Sequence, residues 1–106
     1  MAVRKWLKKG DNCPVVAVVQ AVLTTNHFMW DGRADLDSEF GDGTEAGVRS
    51  FQHWAMKKGG VEGLVNDGEV GEKTFKAFNL FLGVNFDSLP DGFWPEGPQI
   101  YGSTSA

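Results

Sequence analysis

The chain has 106 residues, 42% of them hydrophobic and 23% charged, with a net charge of −4, which gives room for one domain and an appendage and excludes a general affinity for nucleic acid or anionic membranes. No apolar run approaches the roughly 20 residues needed to span a bilayer. The single cysteine, Cys13, excludes an internal disulfide and a thiolate zinc cluster.

Residues 7–12 read as a turn, with Asp11 or Asn12 placed to cap a helix and Pro14 in its first turn, where a missing N–H costs nothing. Val15, Val16, Val19, Val22 and Leu23 then follow helical spacing, with Gln20 beside the stripe, which predicts a helix over residues 14–25. Residues 26–43 hold Asp31-Gly32, Phe40-Gly41 and Asp42-Gly43 and form a loop of tight turns. A second helix is predicted from about residue 43 to 58, burying Val48, Phe51, Trp54 and Ala55, and Gly59-Gly60 ends it. After a turn at Asn66-Asp67-Gly68, a third helix runs from about 72 to 81, with Phe75, Phe78 and either Leu82 or Phe81 inward and Gly83 as its stop. From Val84 onward Pro90, Pro95 and Pro98 break any helical period, yet Phe86, Phe93, Trp94, Ile100 and Tyr101 are too apolar for a disordered linker. The expected organisation is a helical domain over 1–83 and an extended tail over 84–106, held by this domain or by a neighbour, with Phe93, Trp94, Ile100 and Tyr101 as the residues that would dock on a protein partner.

Two segments echo one another. Phe40-Gly41-Asp42-Gly43-Thr44 opens the second helix and Val70-Gly71-Glu72-Lys73-Thr74 the third, each after an Asp-Gly turn, Asp31-Gly32 and Asp67-Gly68. In each the apolar residue plugs the core, the Gly is expected to adopt a backbone angle other residues avoid, and the acidic residue faces the positive helix N-terminus.

With Leu7, Gly10-Asp11, Val16, Val19-Gln20, Leu23, Val48, Phe51-Gln52 and Phe75-Ala77-Phe78 added, this ordered series over residues 7–82 resembles the peptidoglycan-binding domain family of cell-wall hydrolases and phage lysins. The resemblance implies an all-α fold, a small three-helix bundle with long loops and an extended C-terminal tail. It also implies non-catalytic binding of a peptidoglycan glycan strand or stem peptide, with no cofactor. The sequence departs from the family at Cys13, where Gly is usual, and at Gly47, where Ala is usual. It also carries two longer loops, residues 33–39 and 59–65.

Binding glycan or stem peptide calls for a shallow groove with an aromatic platform, amides and hydroxyls. Trp30, Asp31, Phe40, Gly41, Thr44, Gln52 and Trp54 carry those groups. Phe40, Phe51 and Trp54 also suit the core, and Gln20 and Gln52 suit bridges from helix to loop. Asp35, Asp37 and Glu39 alternate as in a calcium loop, but Phe40 stands where the sharp turn needs Gly and Ala46 where the closing Glu is needed, so no metal is expected. The two imidazoles, His27 and His53, sit in no nucleophile or zinc-hydrolase pattern, so no enzyme is expected. Basic residues at the start are not followed by an apolar stretch of signal-peptide type. The expectation is therefore a phage-associated protein, made in the cytoplasm and carried in a virion, injected or released to the wall. The alternative is a structural component of a phage tail or baseplate that uses the same fold as a docking unit.

Overall fold

The protein is seen here as a computed structural model that describes residues 4–29 and 37–95. Three helices form its frame: α1 Pro14–Thr25, α2 Asp42–Lys58 and α3 Glu72–Leu82. Two single-turn 3-10 helices follow, Phe86–Ser88 and Asp91–Phe93. Among the described residues there is no β-strand, and the fold is an all-α three-helix bundle.

α1 forms over the expected residues despite its valines. Intrinsic propensity costs a few tenths of a kcal/mol per valine, whereas enclosing each such side chain returns roughly 1.5–3 kcal/mol. Val15, Val16, Val19 and Leu23 are fully enclosed, and Val18 and Val22 are partly buried against the same core. Its N-cap is Cys13, in extended conformation and without a side-chain cap. Asp11, expected as a capping residue, instead accepts the Lys8 backbone N–H at 2.8 Å and pairs with Arg4. Those bonds close the turn before the helix.

α2 begins at Asp42, one residue before the expected start, and lies between α1 and α3. α3 ends at Leu82, and Gly83 takes the left-handed conformation (φ 71°, ψ 22°) that stops it. An aromatic stack joins these elements. Phe51 and Phe78 lie nearly parallel with centroids 4.3 Å apart, Phe28 meets Phe51 edge-on at 5.3 Å, and Phe78 meets Phe86 at 5.4 Å.

The N-terminal segment ties the two repeats together. Leu7 exchanges both backbone hydrogen bonds with Val70 at 2.8 Å, while the Phe40 N–H donates to the Asp11 carbonyl and the Gly10 N–H to the Phe40 carbonyl, also at 2.8 Å. Phe40 and Val70 are thereby held as core plugs at equivalent places, 2% and 0% exposed.

The chain beyond Gly83 belongs to this same core as far as it is described. Phe86 and Trp94 are buried, Phe75 packs against both at 4.8 and 5.3 Å, and the Arg4 N–H donates to the Pro95 carbonyl at 2.8 Å. Trp94, expected to dock on a partner, is therefore enclosed within the fold. Its reason is geometric: Phe86 packs on Phe75 and on the Phe78 ring beside the Phe51 stack, and Trp94 packs on Phe75, so the 3-10 turns cover aromatic surface of α3 that α2 leaves open. Ile100 and Tyr101 lie outside the described residues.

Candidate functional site

The site is framed by two copies of one hydrogen-bonded turn. In the first, the Gln20 amide donates to Asp37 Oδ1, the Glu39 carbonyl and Thr44 Oγ1, each at 3.0 Å, and its Oε1 accepts the Ser38 N–H at 3.1 Å. The same Asp37 oxygen accepts the Glu39 N–H at 3.0 Å. In the second, the Gln52 amide donates to Asp67 Oδ1 at 3.2 Å, the Glu69 carbonyl at 2.8 Å and Thr74 Oγ1 at 3.0 Å. Its Oε1 accepts the Gly68 N–H at 2.9 Å, and Asp67 Oδ1 accepts the Glu69 N–H at 2.9 Å. Both glutamines and both threonines are buried. Gln52, expected among the ligand contacts, is thus spent on the frame.

This pairing corrects the repeat. The partner of Asp67-Gly68 is Asp37-Ser38, not Asp31-Gly32. Ser38 holds φ 67° where Gly68 holds φ 79°, and serine in a glycine's conformation hides the equivalence. The expected strain at the helix-opening glycines is absent: Gly41 and Gly71 are ordinary extended N-caps at φ −105° and −115°. The loop expansion also moves, since Asp37 to Thr44 runs in step with Asp67 to Thr74 and the extra residues precede Asp37.

Between the turn after α1 and the first half of α2 lies an open groove of about 400 Å³. Phe28 and Met29 form its apolar wall, Gly43, Ala46, Gly47 and Ser50 its α2 side, and Asp37 and Glu39 its acidic rim. The absence of a side chain at Gly47 admits Met29; a Cβ there would overlap Met29 Cγ and come within 3.3 Å of Leu23 Cδ1. Met29 and Leu23 thus fill the space that an alanine methyl at this position would need. The Glu39 N–H, and then the Gln20 amide, hold the Asp37 carboxyl below its ordinary range, so Asp37 is charged at neutral pH. Asp42 is lowered likewise by Lys9, with which it pairs.

Of the expected ligand residues, Gly41 and Thr44 line this groove, while Phe40 sits beneath it in the core. Trp54 is half-buried behind Phe28, 5.5 Å from that ring and 5.3 Å from Phe81, with Lys58 Nζ 5.3 Å over its face. Trp30 and Asp31 lie outside the described residues. Phe93 is 37% exposed on the second 3-10 turn. Phe28, Met29, Ala46, Gly47 and Ser50 were missed as lining residues; the corrected repeat register is the signal that points to them.

A second groove, of about 410 Å³, occupies the equivalent place one repeat on. Gly60 and Val61 stand where Phe28 and Met29 stand in the first, counted from the two glutamines. Lys73, Lys76 and Leu80 stand where Gly43, Ala46 and Ser50 do, counted from the two threonines. The frame is duplicated and the lining has diverged.

Other titrating groups contribute little chemistry. Burial pushes the Cys13 thiol up, away from nucleophilic reactivity. His27 and His53 are both exposed. Among the described residues no three His, Cys, Asp or Glu side chains converge as metal ligands would. No family model, no curated protein and no solved structure matches the chain.

Proposed function

We propose that the chain is a non-catalytic module that binds peptidoglycan, with the groove between the turn after α1 and α2 as its contact surface. The observation that carries this reading is the groove itself. It is open, walled by Phe28 and Met29 for the C–H faces of a sugar or an alanyl methyl, and rimmed by carboxylates and the Ser50 hydroxyl for hydroxyls and amines. Its α2 side is small-residued, so a chain-like ligand approaches the backbone closely. The motif series that resembles the peptidoglycan-binding domain family supports the same reading, and Trp30 would add an aromatic platform. Such a module acts at the bacterial wall, delivered by a phage particle or released from one.

Co-sedimentation with purified sacculi tests this. The chain pellets with sacculi, Ala46→Arg/Ser50→Arg stays in the supernatant with an unchanged circular dichroism spectrum, and Trp30→Ala pellets less. If the chain never pellets with sacculi of either major wall type, or if the groove-filling variant pellets as well as the parent, the reading is overturned.

A second reading, a docking unit of a phage tail or baseplate, is favoured by one observation, the exposed Phe93 ring on the strap that leads to residues 96–106. Partner capture would then depend on Phe93 and on those residues rather than on the α2 groove.

A further inference from the structure

The second groove differs from the first in what it offers a ligand. Its loop wall is bare backbone at Gly60. Just beyond the wall, a Cβ at Gly63 (φ 82°) would fall 3.1 Å from Lys73 Cε, so the lysine chain lies across that glycine. Gly60 in turn lies against Leu80, whose Cδ2 would be 3.1 Å from a Cβ there. The position filled by Ser50 in the first groove is Leu80 here, and it is 58% exposed, the most exposed large apolar side chain among the described residues. The positions of Gly43 and Ala46 are Lys73 and Lys76, one helical turn apart on α3.

None of the groove's four charged groups, Lys73, Lys76, Glu62 and Glu72, is in an ion pair with another described residue. Two free ammonium groups beside an exposed leucine suit a carboxylate next to an apolar side chain. Two free carboxylates on the same rim repel a polyanion, so a nucleic acid or a phosphate polymer is disfavoured. A short peptide satisfies both conditions, because its carboxylate is a single charge and its N–H groups can meet the glutamates.

We propose that this groove is a second binding site, for a short peptide segment that presents a carboxylate beside a branched apolar side chain. Lys73 and Lys76 hold the carboxylate, and Leu80 with Val61 covers the apolar group. The site is built on α3 and the loop before it, and it stands whether or not the α2 groove binds the wall.

The test is a titration of the 15N-labelled full chain with acetyl-Leu-Asp-amide, which carries one carboxylate beside the leucine, and with acetyl-Leu-Asn-amide, which lacks the charge. Saturable amide shifts are expected over residues 60–63 and 72–80 with acetyl-Leu-Asp-amide alone, at millimolar affinity. Lys73→Gln/Lys76→Gln weakens binding by roughly tenfold, while Lys57→Gln/Lys58→Gln, whose cations lie outside the groove, leaves it unchanged. The proposal is overturned if no saturable shift appears or if the uncharged dipeptide gives the same shifts. Equal weakening by both lysine pairs overturns it as well, since that marks unspecific charge attraction. Sacculus co-sedimentation reads the α2 groove separately, so failure of one site does not mimic failure of the other.

Discussion

A methyl group added at Gly47 has nowhere to go unless Met29 leaves its place. Gly47→Ala is expected to cost about 1–3 kcal/mol by overpacking, against a helix-propensity gain of about 1 kcal/mol. Shortening the obstacle should reverse the sign, so Gly47→Ala/Met29→Ala is expected to be more stable than Met29→Ala alone in urea unfolding. Ser38 and Gly68 form a reciprocal test, because both occupy the left-handed region. Ser38→Gly should be neutral or stabilising by up to about 1 kcal/mol, the relief of a left-handed serine less the entropy of glycine. Gly68→Ala should destabilise, since its Cβ would also fall 2.8 Å from Glu45 Cγ.

Glu69 sets a pH dependence at the same scale. Burial, and then the charge of Asp67, raise its carboxyl above the ordinary value, and its Oε1 is buried without a hydrogen-bond partner among the described residues. A raised carboxyl means that the folded chain binds the proton more tightly than the unfolded one. Stability therefore falls as pH rises from the ordinary glutamate range through the raised value, and the penalty persists at neutral pH. Glu69→Gln should raise the thermal midpoint at pH 7 and lose that advantage as the pH drops below the ordinary glutamate value.

The elements were the most legible part of the chain. Pro14, Gly59 and Gly83 punctuate the helices as their backbone chemistry requires, and the apolar spacing of Val16, Val19, Leu23, Val48, Phe51 and Phe78 identifies the inward faces. The helix-opening repeat was legible in outline and misregistered in detail. Asp-Gly is the common signature of such a turn, so Asp31-Gly32 attracted the assignment that belongs to Asp37-Ser38. The grooves were legible only through the correct repeat register. Their walls come partly from residues that matter for what they lack, such as Gly47 and Gly60, and no periodicity announces a missing side chain. Trp94 was misread for a related reason: a proline-bounded aromatic segment looks alike in sequence whether it covers its own core or a neighbour's.

At the scale of the whole molecule, the strap over α3 makes residues 84–95 part of the folding unit. Removing residues 84–106 strips Phe86 and Trp94 from the core, and losses of about 3–5 kcal/mol for each large aromatic rival the whole stability of a small domain, about 5–15 kcal/mol. That truncation should be unfolded or molten by circular dichroism and proton spectra, so it cannot separate folding from docking as removal of 96–106 alone can. The shorter deletion is accordingly the one that can test a docking role for the end of the chain.

The duplicated frame gives the molecule two equivalent places for a ligand, lined by different chemistry, and in the proposed function the first of them meets the wall. Titration of the 15N-labelled chain with muropeptides released from sacculi is then expected to give saturable amide shifts at residues 28–29 and 37–50, lost in Ala46→Arg/Ser50→Arg. Absence of a saturable shift there, or shifts confined to residues away from that groove, would contradict it.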